Sequence, residues 1–456
     1  LRKFLHVWVV YVIFEERVSP FAVHLLGRFR PGNVRYVPGG FLAMHHVITA
    51  PHSRSAPSSR LVVILGLLAM LGPLTIDLYL PAFPRLQADL ETTPSQIQLT
   101  LSAATLGFAI GQLVIGPWSD SIGRRRPLLI ATLVHVVASV AIAVAPDITW
   151  VLALRVLQGA GAAGGGVVAM AMMRDVAEGR QLIKGLARMA LFTGITPVVA
   201  PFLGAQLMVA LNWRGLFVVV ALYGLAILVI CFALIPETLS MERRFDRNDR
   251  GAVWHSYRLL LRDRKIVGVA LIGGCMVSSV FAYLSTSSFL FQQQYGLTAQ
   301  MYGVISAANA IAFVIGTQIS GWVAQRVPPK RVLAVALPAL ATTGFLLMLV
   351  GITFVEIGPV IAVMLAFMAF AGTCGPCLGA LGLADHAKRA GTAAAFLGAA
   401  NFGLAGIASP VVGALGITTV VPLGAVMGGA MAIATLALWL MVARPMRARE
   451  AVPSVT

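Results

Sequence analysis

Three stretches carry residue types whose spacing could support chemistry. In LTIDLYLPAFP (74–84), Asp77 is the only carboxylate in an otherwise apolar or uncharged run from Leu61 to Phe83. Burying a charge there is costly, which leaves three readings: a helix-end acid reaching the interface, a fixed partner for a cation, or a group that takes up and releases a proton. ALRVLQGAGAAGG (153–165) places Arg155 and Gln158 in a second apolar run and so supplies a cation. GPWSDSIGRRR (116–126) sets Asp120 between Gly116 and Gly123 and follows them with Arg124, Arg125 and Arg126, either as solvated anchoring charges or as a conformational latch.

Other stretches imitate chemistry that their surroundings exclude. TCGPC (373–377) has the spacing of a redox centre, but its flanks are apolar and such chemistry needs an exposed, activated thiolate. Two cysteines are also too few ligands for a metal site, and all four cysteines (231, 275, 374, 377) lie in apolar runs, which argues against a disulfide framework. GAGAAGGG (159–166) fits a dinucleotide fingerprint without the preceding strand; its small residues instead let helices approach closely. His135 reads as a packing group, with a part in proton transfer as the alternative. No clustered nucleophile, base or metal set points to an enzyme, and no cofactor is expected.

The elements that must position these residues follow from composition. Of the 456 residues 58% are hydrophobic and 11% charged, where soluble domains carry roughly 25% charged residues. Twelve runs are long enough to span a bilayer: 61–83, 97–117, 127–146, 150–173, 186–209 and 214–235, then 266–290, 301–324, 332–351, 357–382, 392–416 and 420–443. They are continuously apolar rather than alternating, which predicts helices and not barrel strands. The expected fold class is an all-α integral membrane protein.

Of the 34 lysines and arginines, 31 fall in the tails and alternate loops on one side; Arg85, Arg155 and Arg214 are the remainder. The positive-inside rule then places both termini in the cytoplasm. This distribution explains the net charge of +17 without a nucleic-acid partner. The chain has no N-x-S/T acceptor, which fits a bacterial inner membrane. At the rise of a helix, Asp77 lies about 24 Å and Arg155 about 27 Å from the cytoplasmic face, so the two are expected at similar depth. Pro81 and Pro84 predict a bend where the first span ends.

Residues 236–265, rich in both charge signs, divide six spans from six. The organisation read from this is a tail (1–60), a bundle (61–235), a linker, a second bundle (266–443) and a short tail (444–456). GPWSDSIGRRR aligns with GWVAQRVPPKR (321–331) at an offset of 205 residues, and APFLGA (200–205) with SPVVGA (409–414) at 209, which suggests an internal duplication. Residues 1–43, with an apolar stretch (4–14) too short to span, are expected to be disordered or an over-extended gene start. Tyr79, Thr105, Phe108, Gln158, Asn309 and Asn401 are candidates to line a cavity, with helix joining or packing as the alternative for each.

The spacing G-x3-D-x2-G-R-R-R between two spans resembles the signature loop of the major facilitator superfamily. Arg155, Gln158 and Gly159 resemble its fourth-helix motif, and GITPVVAPFLGA (194–205), with Gly194, Pro197, Pro201 and Gly204, resembles the fifth-helix motif of its drug/proton antiporters. IDLYLPAFP together with MMRDV (172–176) is similar to the bicyclomycin/chloramphenicol resistance (Bcr/CflA) drug-efflux subfamily. Ala200 replaces the common glycine of the fifth-helix motif, and Gln325 stands where the first-half loop has Asp120. The resemblance implies two pseudo-symmetric six-helix bundles and a monomer that exports chloramphenicol-, bicyclomycin- or sulfonamide-like compounds, driven by a proton gradient. In it Asp77 and Arg155 would couple protons; Asp120 is expected to meet the start of the eleventh helix near Gly391 and hold the two halves together in the outward-open state. A metabolite carrier of the same fold is the alternative.

Overall fold

A computed structural model describes residues 58–244, 250–353, 356–384, 390–414 and 420–443. The expectations for residues 1–43 and for both tails concern segments outside these, apart from Ser58 to Arg60. Among the described residues there is no strand. Twelve long helices carry the fold: α1 (Ser59–Asp77), α2 (Pro94–Ile122), α3 (Arg125–Ala143), α4 (Ile148–Val176), α5 (Gly179–Leu207), α6 (Trp213–Leu234), α7 (Arg264–Phe289), α8 (Ala299–Val323), α9 (Pro329–Thr353), α10 (Ile357–Ala384), α11 (Ala390–Ala414) and α12 (Val420–Ala437). Eleven helical segments are long and apolar enough to cross a membrane, and α11 contributes a shorter apolar stretch, Thr392–Ile407. The chain is a multi-pass membrane protein.

Side-chain caps set where several helices begin. Thr93 accepts from the Gln96 N–H (3.3 Å) while the Gln96 side chain accepts from the Thr93 N–H (3.4 Å), a reciprocal cap that starts α2. Asp147, Asn212, Asp263 and Thr298 start α4, α6, α7 and α8 by accepting backbone N–H groups of the first turn. Helix α1 departs from its apolar run: it stops at Asp77, six residues short of the expected end. Pro81 opens a 3-10 turn, Leu80–Ala82, and Pro84 opens a short helix, Phe83–Asp89. Each proline lacks the N–H that would have continued α1 and suits the start of a new turn.

Glycines set the closest helix crossings. A Cβ on Gly107 of α2 would run into the Val156 carbonyl of α4, and one on Gly159 into the Ala104 carbonyl. The crossing recurs between α8 and α10, where Gly316 abuts the Ala369 carbonyl and Gly372 that of Phe313. Gly316 stands 209 residues after Gly107, the offset that separates APFLGA from SPVVGA. The two bundles meet along α2 against α11 and α5 against α8.

The polarity of the molecule is inverted. Val137, Leu222 and Phe232 are 59–66% exposed, whereas Arg155, Gln158 and His135 are fully buried. An apolar exterior with polar groups gathered inside is what a lipid environment selects.

Gly159→Val should lower the melting temperature in detergent, with a destabilisation of about 1–3 kcal/mol typical of overpacking. Gly166→Ala, whose new methyl meets open space, should leave it unchanged. Differential scanning fluorimetry of the two variants beside the parent checks this.

Candidate functional site

Arg155 projects from α4 into the first bundle with no solvent exposure. Its Nη1 donates to Gln158 Oε1 (2.7 Å) and the Thr75 carbonyl (3.2 Å), and its Nε donates to the Thr100 carbonyl (3.3 Å). Its guanidinium carbon lies 4.2 Å from the Tyr79 ring centroid and 5.8 Å from that of Phe217. Cation–π attraction is worth about 2 kcal/mol when desolvated. Tyr79 is oriented by a 3.0 Å hydrogen bond between its hydroxyl and that of Thr100. Gln158 is held from behind: its Nε2 donates to Ser139 (2.7 Å), and its carbonyl meets His135 Nδ1 at 3.2 Å. Arg155 Nη2 has no hydrogen-bond partner among the described residues.

Asp77 ends α1 two residues past the Thr75 carbonyl, so it shares a level with Arg155. The two do not pair: among the described residues Asp77 forms no ion pair, although it is only 4% exposed. Carbonyl and amide oxygens take the Nε and Nη1 donors of Arg155, and no carboxylate meets its Nη2. The ionisable group near Asp77 is Tyr302 of α8, in the other bundle.

Around this level α7 and α8 present uncharged polar groups. Tyr302 and Ser287 share a 3.2 Å hydroxyl contact, and Asn309 Nδ2 donates to the Tyr283 hydroxyl at 3.1 Å. Beyond them, away from the basic loops, glutamines join the bundles. Gln292 donates to the Pro81 carbonyl (3.0 Å), Gln293 to Gln87 (3.0 Å), Gln98 to the Ser285 carbonyl (3.3 Å) and Gln300 to the Ala205 carbonyl (3.4 Å). This end is closed.

At the basic end GPWSDSIGRRR folds onto its own bundle. Arg124 binds Asp120 and Ser119 through Nη1 and Asp175 through Nε (2.9 Å). Burial alone would lower its proton affinity, but Asp175 and Asp120 outweigh that and raise it. The Glu237 carboxylate, just past α6, accepts the backbone N–H groups of Arg124 (2.8 Å), Arg125 (3.2 Å) and Leu239 (3.0 Å). Burial pushes the Glu237 pKa up, and those N–H groups with the Arg244 charge bring it below its ordinary 4.5. Gly123, at φ +104°, is in the left-handed region, and a Cβ there would strike Glu237. Arg125 donates to the Phe232 carbonyl (2.6 Å), and Arg126 is exposed.

A family model described as Major Facilitator Superfamily matches residues 65–410. The chain belongs to the major facilitator superfamily. It is 35% identical over 385 residues to the MFS-type transporter YdgK of Bacillus subtilis, covering 83% of this chain and 94% of that one. It is 27% identical to the bicyclomycin resistance protein homolog of Haemophilus influenzae (85% and 97% covered) and 31% identical to the multidrug resistance protein MdtL of Shigella flexneri (55% and 63% covered). Among solved structures, the D-xylose-proton symporter superposes with a TM-score of 0.69 at 16% identity, covering 84% of this chain and 97% of that one. That likeness shows the major facilitator fold.

Within this superfamily fold the sequence candidates separate. Tyr79 and Arg155 stack together, while Gln158 is occupied by Arg155 and Ser139 and braces helices rather than lining a cavity. Phe108 lies 4.6 Å from Phe402 by ring centroids, at the α2–α11 contact; Thr105 donates to the Ser102 carbonyl beside Gly406. Asn309 and Asn401 each keep an unpartnered buried oxygen. On α5, Gly204 abuts the Leu78 carbonyl and Ala200 is buried against Leu74 and Leu78, whereas Gly194 has open space beside it and makes no close approach. Pro197 and Pro201 lie inside α5 without ending it. Gly116 rests near Val167.

The latch from Asp120 to the start of α11 is expected with the glutamine end open, and here that end is closed; a linker helix, Arg250–Arg262, lies against α11 through Leu260 and Ala393, with Tyr257 near Asp120. Glu237 and the glutamines escaped sequence reading. The QQQ run (292–294) just past an apolar span was the available signal, since three amides can bond in either direction.

The depressed Glu237 pKa makes its stabilising contribution complete above pH 4.5 and lost as pH falls through the lower folded value. Melting temperatures in detergent should therefore fall on acidification below pH 4.5, and Glu237→Gln should remove that component while lowering stability at pH 7. Replacing Gln292 and Gln293 together by Leu should open the glutamine end. At about 0.5–1.5 kcal/mol per bond the shift is roughly fivefold to hundredfold, read as labelling of a cysteine placed at the buried position 82.

Proposed function

We propose that this superfamily member is a proton-coupled exporter of small amphipathic drugs, of the chloramphenicol, bicyclomycin or sulfonamide kind, working as a monomer in a bacterial inner membrane. The observation that carries the reading is Asp77: a buried carboxylate at the end of a spanning helix, level with a buried arginine yet unpaired. Relatives named for bicyclomycin and multidrug resistance support it. The basic loops assign their end to the cytoplasm, so the glutamine end faces the periplasm and the described state is closed outward.

In the proposed cycle the cargo enters from the cytoplasm against a charged Asp77. The bundles then rock, opening the periplasmic end. Asp77 takes a proton there, which weakens cargo binding and favours return, and releases the proton inside. Coupling arises because the protonated and charged forms differ in cargo affinity between the two states. Arg155 does not alternate between partners in this scheme. It fixes the field in which Asp77 works, because its Nε and Nη1 donors are committed to Thr75, Thr100 and Gln158.

Asp77→Asn should abolish drug efflux driven by a pH gradient in everted vesicles, with membrane insertion and melting temperature retained. Normal drug–proton exchange by this variant would overturn the assignment.

A further inference from the structure

Three buried polar atoms on α7 and α8 lack hydrogen-bond partners among the described residues: Thr286 Oγ1, Ser306 Oγ and Asn309 Oδ1. Their residues are at most 6% exposed, as are Tyr283 and Tyr302. An unsatisfied buried polar atom costs about 1–3 kcal/mol, so each of these calls for a missing partner.

The arrangement is not scattered. Tyr302, Ser306 and Asn309 follow one another at spacings of four and three along α8, and Tyr283 and Thr286 are three apart on α7, so each set shares a helix face. The faces meet: Asn309 donates to the Tyr283 hydroxyl, and Ser306 stands beside both phenols. Tyr302 in turn is close enough to Asp77 to feel its charge. None of these residues carries a charge. The free groups are an amide oxygen, which accepts, and two hydroxyls, which donate or accept.

We propose that Tyr283, Thr286, Tyr302, Ser306 and Asn309 form a subsite on the second bundle that takes an uncharged amide or hydroxyl group of the cargo beside Asp77. The assignment rests on the exporter reading and narrows it. The preferred cargo carries at least one neutral donor–acceptor group, and a purely lipophilic cation gains nothing here. The subsite confers selectivity, whereas Asp77 confers coupling, so the two functions separate under mutation. Discrimination of this kind is strong when a site built for hydrogen bonds meets a ligand that lacks them.

The test uses the full-length protein in lipid nanodiscs and two probes: chloramphenicol, which has an amide and two hydroxyls, and tetraphenylphosphonium, which has no hydrogen-bonding group. Thr286→Val and Asn309→Leu keep approximate shape and remove the polar atoms; Ser306→Thr keeps a hydroxyl where Ser306→Val does not. The expected result is a chloramphenicol Kd raised about tenfold or more in Thr286→Val, Asn309→Leu and Ser306→Val. Ser306→Thr should stay near the parent, and tetraphenylphosphonium affinity should change little in any of them. Equal losses for both probes, or none for chloramphenicol in variants that melt like the parent, would overturn the subsite while leaving proton-driven efflux intact. Failure of the parent to bind either probe, with Asp77→Asn having no effect on transport, would overturn the exporter reading and the subsite with it.

Discussion

A buried cation without a carboxylate is the constraint on which this structure turns. A charge taken out of water carries a penalty of several kcal/mol unless its partners replace the lost solvation. Arg155 replaces it with two backbone carbonyls, one amide oxygen and the faces of two aromatic rings. Each partner comes from a helix that must then stay in place: Thr75 on α1, Thr100 on α2, Gln158 on α4 itself and Phe217 on α6. The guanidinium therefore ties four of the six helices of its bundle, and Gln158 extends the tie to α3 through Ser139. That rigidity leaves Asp77 buried at the end of α1 without being neutralised by the nearest cation.

The rest of the molecule keeps that arrangement dry and movable. Backbone contact at Gly107 and Gly159 brings α2 and α4 close enough for Arg155 to reach the Thr100 carbonyl. The same kind of crossing between α8 and α10 gives the second bundle a comparable stiffness. The bundles touch mainly through small residues, aromatic rings and amides, as at Gly398 against Gln112 and Phe402 against Phe108. Contacts of that kind can be exchanged for others at little net cost, which suits a moving interface better than buried ion pairs. The ion pairs of Arg124 lie instead inside the first bundle, where nothing has to slide.

Much of the fold was legible because a bilayer imposes a coarse grammar. Apolar run length set the twelve helices. The bend after α1 was readable from Pro81 and Pro84, though where α1 stops was not, because hydropathy continues through Phe83 while the hydrogen bonds end. At the site, Asp77 and Arg155 announced themselves as rare ionisable residues in apolar runs. Their relation did not. Helical rise gives depth but not azimuth, so sequence alone could not tell pairing from two groups on one level with different partners. Gln158 read equally as a helix-joining or a ligand group, and its contact with Ser139, which is distant in sequence, makes it a brace here. The latch read at Asp120 concerns the state with the outer end open, and the linker helix that lies near Asp120 in the closed state was not legible in the sequence. The hydroxyl run at 285–288 went unread because a serine in an apolar helix normally satisfies itself on the preceding turn; Ser285 and Ser287 do, and Thr286 does not.

The two ends of the molecule differ in chemistry, and the difference bears on the mechanism proposed. The basic end is held by carboxylates and guanidinium groups, whose strength depends on salt and, at low pH, on protonation. The opposite end is held by glutamine amides bonded to carbonyl oxygens, which have no proton to gain or lose between pH 4 and 10. A clasp of amides facing an acidic compartment would keep the same strength whatever that compartment's pH. The trigger for opening must then come from elsewhere, and the buried carboxyl beside the clasp is Asp77, which ends α1 shortly before Pro81, whose carbonyl Gln292 holds. Protonation there removes a charge four residues from the clasp, acting along one rigid turn of chain. On this view the neutral clasp is what allows a single carboxyl group to control when the outer end opens.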